Sequence, residues 1–198
     1  MKRTVLIPVL VLAAFALTRW PGVMPLNFSV AYGLVFCAGA FPKRLPWWAV
    51  FGTLVVTDVG LNHFYYQTAP FSDYQVVNYL AYAGIFGLGR LFARQRTVWQ
   101  HAVGGLLGAV LFYLITNTAA WLENPAYAKN FADWLRALTT GTSGWPETWT
   151  FFRNTLLSGG LFAGLLSAVL QSVEAQEPEP EEEPEPEAAS EGEAEEAK

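Results

Sequence analysis

Six apolar stretches, separated by loops that contain proline, constrain this chain more than any other feature. A helix that crosses a bilayer needs about 20 largely apolar residues. The stretches lie at residues 4–20, 28–41, 47–61, 76–92, 98–122 and 149–173, and the second and third are the shortest. Proline between stretches ends a helix, because it cannot continue the hydrogen-bond pattern. The pattern predicts an all-α, polytopic bundle of six transmembrane helices within residues 1–173.

Charge divides the chain into an apolar body and an acidic end. Only 15% of the 198 residues are charged, against roughly 25% in a soluble domain. Residues 174–198 hold twelve Glu and one Lys, a net charge of −11, whereas residues 1–173 hold eleven Lys or Arg and five acids, a net charge of +6. Glutamate alternating with proline predicts a disordered tail at 174–198, since such a segment cannot bury apolar surface.

Composition also excludes several classes of protein. The apolar body is unlike a soluble enzyme, and Cys37 has no second cysteine for a disulfide. Basic residues are too scattered to follow a phosphate backbone, so nucleic acid is not an expected partner. The first stretch follows Lys2 and Arg3 and has the outline of a signal peptide. Arg19 and Trp20 after it favour a retained anchor instead.

The distribution of basic residues predicts an orientation in the membrane. Seven of them fall on one side of the predicted bundle: Lys2, Arg3, Lys43, Arg44, Arg90, Arg94 and Arg96. Short cytoplasmic loops carry such an excess, so both termini are predicted to be cytoplasmic and the loops 21–27, 62–75 and 123–148 to face outward. Helical spacing of aromatic residues predicts an amphipathic helix at 126–139. That outer segment is either a surface loop or a cover over a ligand.

Polar residues inside apolar helices are the informative ones, because a charge or amide in lipid needs a partner or a water-filled cavity. At the outer ends of four predicted helices we find Asn27, Asp58, His63, Asn117, Arg153 and Asn154. Trp121 and Trp145 lie nearby, and aromatic walls with a few polar groups are typical of small-molecule sites. These eight residues form a candidate outward-facing site for a small polar solute. Alternatively the groups satisfy one another, Asp58 with Arg153 and Asn117 with Asn154.

Other chemistry has little support in the sequence. There are two His and one Cys, and the HExxH, CxxC, GxSxG and Walker patterns are missing. We therefore predict no catalytic residues, no metal site, no cofactor and no enzymatic activity, and expect His101 at the membrane interface. The pairs Gly104/Gly108 and Gly160/Gly164 allow close helix packing, either within the bundle or against a second subunit.

Four motifs give the chain a resemblance to a known family. They are Pro25-Leu26-Asn27-Phe28-Ser29, Thr57-Asp58, Asn117-Thr118-Ala119-Ala120-Trp121 and Phe151-Phe152-Arg153-Asn154-Thr155-Leu156. In this order they resemble an uncharacterised bacterial membrane family of proposed transport proteins, a domain of unknown function. That family is similar to the substrate-binding S components of energy-coupling factor (ECF) vitamin transporters. The resemblance implies a bacterial inner-membrane location, an outward-facing site, and partners consisting of a membrane coupling subunit and ATPases.

The sequence thus leads to two functional hypotheses. In the first, the protein captures a small polar or vitamin-like solute from outside as the substrate-binding subunit of a transporter. In the second, it is a membrane scaffold whose acidic tail recruits a cytoplasmic partner. Deleting residues 174–198 separates them, because a solute binder would keep its ligand and a scaffold would lose its partner.

Overall fold

The computed structural model describes residues 3–175, with side chains from Leu6 onward, as a helical bundle. Its helices are α1 (Arg3–Thr18), α2 (Val30–Ala40), α3 (Trp47–Gly60), α4 (Asp73–Leu91), α5 (Val98–Glu123), α6 (Phe131–Leu138) and α7 (Thr148–Glu174). A π-helical turn, Leu61–Tyr65, extends α3. Residues 3–175 contain no strand, which confirms the all-α prediction. The predicted tail lies outside the described residues from Gln176 onward.

Side-chain caps explain where several helices begin. The Ser29 hydroxyl accepts a hydrogen bond from the Ala31 N–H (3.1 Å) and starts α2. At the start of α5, Thr97 accepts from the Gln100 N–H while the Gln100 side chain accepts from the Thr97 N–H, both at 3.2 Å. Such reciprocal bonds satisfy N–H groups that have no partner within the helix.

Helix α2 lies at the centre of the bundle. All eleven of its residues, Val30–Ala40, are buried. It packs against α1, α3, α4, α5 and α7. A helix that is apolar on every side has no face to present to water, so the sequence of α2 suits a position enclosed by other helices.

Glycine residues let the surrounding helices approach α2 and one another at backbone distance. A Cβ added at Gly33 would overlap the backbone of Ala163 in α7, and one at Gly89 would overlap the Phe36 carbonyl in α2. Between α5 and α7, a Cβ at Gly105 would overlap the Gly159 carbonyl. The predicted glycine pairs also pack inside this chain, since Gly104 faces Phe36 and Gly160 faces Leu106.

The two ends of the bundle differ in character. At the first, which we name the Asp58 end, contacts join Arg19 and Tyr79 to Asp58, and Asn154 to Leu26. At the opposite end, named the Lys43 end, the loops after α2 and α4 meet the end of α7 around one cavity. Consecutive helices therefore run in alternating directions, apart from the short α6.

Apolar side chains cover much of the outside. On α7, a stripe at nearly regular spacing is exposed: Leu157, Leu161, Leu165 and Val169. Large apolar residues are also exposed on α1, α3, α4 and α5. By length and composition, α5 and α7 could cross a membrane, while the apolar α1 and α2 are shorter. Two such helices are a weak indication of a membrane protein.

The glycine contacts predict a position-dependent effect of one substitution. Gly105→Ala should lower the free energy of unfolding by about 1–3 kcal/mol, because overpacking forces α5 and α7 apart. Gly87→Ala is the matched control, since no atom lies within 4 Å of its added Cβ, and alanine favours the helix by up to about 1 kcal/mol. Thermal unfolding in detergent compares them, and equal midpoints would contradict the packing described.

Candidate functional site

The carboxylate of Asp58 is the electrostatic centre of the Asp58 end. Its Oδ1 forms a salt bridge with the Arg19 guanidinium, and its Oδ2 accepts a hydrogen bond from the Tyr79 hydroxyl at 2.8 Å. The side chains of Arg19 and Asp58 are only 19% and 15% exposed. Asp58 is thus paired with Arg19, and the alternative pairing with Arg153 is wrong.

Local structure at the end of α1 positions Arg19. Phe15 is fully buried and anchors the last turn of the helix. The Thr18 hydroxyl donates to the Phe15 carbonyl (2.7 Å), and the Arg19 N–H donates to the Ala16 carbonyl (3.2 Å). The guanidinium then lies 5.9 Å from the centre of the Phe15 ring on its way to Asp58. One salt bridge therefore fastens α1 to α3, and Tyr79 adds α4.

Aromatic rings from three helices form a cluster beside this centre. The ring centres of Tyr32 and Phe112 are 4.9 Å apart, and those of Tyr82 and Phe112 are 5.1 Å apart. One helical turn before Tyr82 lies Asn78, whose Oδ1 is buried and has no hydrogen-bond partner within the described part of the chain. Buried polar atoms are normally paired, so this oxygen is an acceptor for which the described residues supply no donor.

Three predicted site residues donate hydrogen bonds to the protein's own backbone. The Asn154 amide donates to the Leu26 carbonyl (2.9 Å), which ties α7 to the segment before α2. The Trp121 indole donates to the Ala128 carbonyl (3.0 Å), and the Asn117 amide donates to the Tyr113 carbonyl (2.9 Å) within α5. The alternative pairing of Asn117 with Asn154 is therefore wrong, since each amide donates to a backbone carbonyl instead.

The four remaining predicted site residues lie apart from Asp58. Asn27 takes a left-handed conformation with φ of 58° before α2. His63 is exposed on the π-helical turn with its ring against Phe64, and Trp145 is also exposed. Arg153 stacks over the Trp149 ring at 5.6 Å. No contact among the described residues joins these four side chains to Asp58.

The outer amphipathic segment is docked against α5. Its helix, α6, is shorter than the predicted 126–139. The Trp134 indole donates to the Thr118 hydroxyl (3.0 Å), and the Tyr113 hydroxyl donates to the Leu138 carbonyl (2.6 Å). These bonds hold α6 over the last turns of α5, on the same end of the bundle as Asp58.

The Lys43 end contains features that the sequence interpretation missed. A cavity of about 1,100 Å³ opens there, lined by Ala40, Phe41, Pro42, Lys43, Arg44, Ala93, Arg94, Gln95, Arg96, Gln171, Glu174 and Ala175. His101 lies beneath it and is fully buried among the helices, while its expected place at the membrane interface stays a prediction. Its Nδ1 pairs with the Ser167 hydroxyl at 2.8 Å, and its Nε2 has no partner among residues 3–175. The basic residues after α2 and α4, from which the orientation was predicted, also line this cavity and could have indicated it.

The comparisons with known proteins give a family and no activity. A family model described as "Family of unknown function (DUF6580)" matches residues 1–181. The chain belongs to the DUF6580 family. Neither a curated protein nor a solved structure matches it. Membership in DUF6580 confirms an uncharacterised family and provides no link to ECF S components.

The Arg19–Asp58 contact predicts a strong coupling between two side chains. Asp58→Asn and Arg19→Gln should each lower the free energy of unfolding by roughly 2–4 kcal/mol, because each leaves a largely buried charge without its partner. The double variant should lose less than the sum of the two. Thermal unfolding of the four proteins measures this coupling. Arg153→Gln is the control, and additive losses would mean that the pair contributes nothing.

Proposed function

We propose that the chain is an integral membrane protein whose six longer helices, α1–α5 and α7, lie across the bilayer. Exposed apolar residues on α1, α3, α4, α5 and α7 support this, because monomeric soluble proteins rarely expose such large apolar patches. The Lys43 end carries five basic residues, Lys43, Arg44, Arg90, Arg94 and Arg96, which favour it as the cytoplasmic end.

The shortness of α2 is compatible with this arrangement. Eleven residues rise only about 16 Å, whereas the hydrocarbon core is about 30 Å thick. Non-helical backbone at membrane depth is tolerated where protein encloses it. Helix α2 is buried on all sides, so the segments that continue from its ends can lie inside the bundle without meeting lipid.

Within this frame we propose that the Asp58 end captures a small polar solute from outside the cell. The observation that carries the proposal is the buried Oδ1 of Asn78, which lacks a hydrogen-bond partner among the described residues. Asn78 lies one helical turn before Tyr82, a member of the Tyr32–Tyr82–Phe112 cluster. A ligand donor would satisfy that oxygen, and an aromatic or apolar part would pack on the rings. The Asp58 carboxylate, already held by Arg19 and Tyr79, offers further lone pairs as acceptors.

The place of such a protein in transport remains a proposal that rests on the sequence resemblance. A substrate-capture subunit would need a membrane coupling subunit and ATPases, because this chain has no phosphate-binding loop of the Walker type. The sequence motifs that carry the resemblance contribute Asp58 itself. They also contribute Asn154, which shapes the entry of α2 by bonding to Leu26.

Two measurements on one variant distinguish a ligand-binding role of Asn78 from a structural role: the bound small molecules and the thermal stability. Asn78→Leu should remove any small molecule that co-purifies with the protein, as measured by mass spectrometry of compounds released from detergent-purified protein. It should leave the unfolding midpoint equal or higher, since an unpaired buried oxygen is removed. Asn62→Leu, at an amide that bonds only to the nearby Pro70 carbonyl, is the matched control.

Two results would count against the solute site. A compound retained equally by Asn78→Leu and the wild type would place its binding elsewhere. A marked fall in the unfolding midpoint of Asn78→Leu would show that the oxygen is satisfied internally and that its role is structural.

The orientation gives a separate prediction. In a Cys37→Ala background, Ser143→Cys should react with a membrane-impermeant maleimide in intact cells, because residue 143 lies in the loop predicted to face outward. Gln95→Cys, at the Lys43 end, should react only after the membrane is permeabilised. Both positions are exposed, so accessibility of the side chain does not differ. Labelling of both in intact cells would contradict the six-span arrangement.

A further inference from the structure

The cavity at the Lys43 end concentrates positive charge. Its lining includes Lys43 and Arg44 from the loop after α2, Arg94 and Arg96 from the loop after α4, and a single acid, Glu174. Four cations around one concave surface create a positive potential that attracts an anionic partner. The surface therefore favours a polyanion over a neutral solute.

Most of this charge is not neutralised by the bundle. Within residues 3–175, the side chains of Lys43, Arg94 and Arg96 take part in no salt bridge. All three residues are exposed, so their charged groups can be reached from solution. A flexible acidic chain could contact them without any rearrangement of the helices.

The chain itself supplies an acidic segment at this place. Helix α7 ends at Glu174, and both Glu174 and Ala175 line the cavity. Residues 176–198 then contain eleven Glu and one Lys, and seven of those Glu lie in 177–187. Glu177 follows Ala175 by two residues, which is at most about 7 Å of extended chain.

We propose that residues 177–187 of this chain occupy the basic cavity as an intramolecular ligand. A segment attached at the edge of its own site has an effective concentration of about millimolar, so even weak ion pairs would hold it there. Four of its eleven residues are prolines, which have no backbone N–H to satisfy. Occupied in this way, the cavity is closed to other anions, including lipid headgroups of the cytoplasmic leaflet.

A zero-length cross-link in the full chain tests this contact. A carbodiimide activates a glutamate carboxyl, and the Lys43 amine displaces the reagent as a urea to form an amide. Mass spectrometry of the digested protein should show Lys43 joined to glutamates of 177–187. Lys129, at the opposite end, is the internal control and should form no such link. Mixing isotopically light and heavy protein identifies links within one chain.

Charge variants make the test specific to the cavity. At a salt concentration that halves the wild-type yield, the double variant Arg94→Gln/Arg96→Gln should lower the Lys43 yield by about 1.5- to 15-fold, because losing two exposed ion pairs weakens binding by about two- to thirtyfold. Arg90→Gln, on the same end but outside the cavity lining, should leave the yield unchanged.

Four results would overturn the proposal. One is a Lys43 yield no higher than that of Lys129, and another is a yield equally insensitive to both charge variants. The third is loss of the Lys43 links in nanodiscs of anionic lipid but not of neutral lipid, which would make the cavity a headgroup site. Links that form only between light and heavy chains would likewise exclude an intramolecular ligand.

Discussion

The arrangement of the whole bundle depends on how closely neighbouring helix backbones approach α2. Gly33 and Gly39 on α2, and Gly89 on α4, leave no room for a Cβ at their contacts. Helices in lipid gain little from burying apolar surface against one another, so their association relies on such close packing. Once α2 is enclosed, the positions of α4, α5 and α7 around it are largely determined, and with them the residues that meet at each end.

Some polar groups at the Asp58 end hold the protein's own loops, whereas others have hydrogen-bond acceptors that the protein does not fully use. Asn154 and Trp121 fix loops by donating to backbone carbonyls. Asp58 is compensated by Arg19 and Tyr79, yet a carboxylate has more acceptor capacity than two donors use. Asn78 is different, since its buried oxygen has no partner within the described residues. The solute proposed above would therefore find its acceptors at Asp58 and Asn78.

Much of the helical outline could be predicted because prolines, caps and apolar length act locally. The predicted stretches 47–61 and 98–122 lie within a residue of the helices found, since Pro46 precedes α3 and Thr97 caps α5. Partners across the bundle could not be predicted in this way. The sequence suggested Arg153 as the partner of Asp58, whereas in the fold the buried Phe15 anchors the end of α1 so that Arg19 reaches it.

Burial of single polar residues was also beyond sequence analysis. Asn78 lies in a helix with a mixed pattern of tyrosines and apolar residues, so nothing distinguished it from an exposed amide. His101 is close to a helix start, where exposure is the ordinary expectation. It is buried because Ser167 on the neighbouring α7 provides a polar partner, a contact that depends on how α5 and α7 cross.

The difference in length between the central helix and its neighbours has a consequence for the shape of the molecule. Helices α5 and α7, with 26 and 27 residues, are about 40 Å long, whereas α2 with 11 residues is about 16 Å long. The two long helices therefore extend past the ends of α2, alongside the segments that lead into and out of it. The cavity at the Lys43 end is lined by Ala40, the last residue of α2, and by Gln171 and Glu174 in the last turn of α7, so it lies where α7 continues past the end of α2.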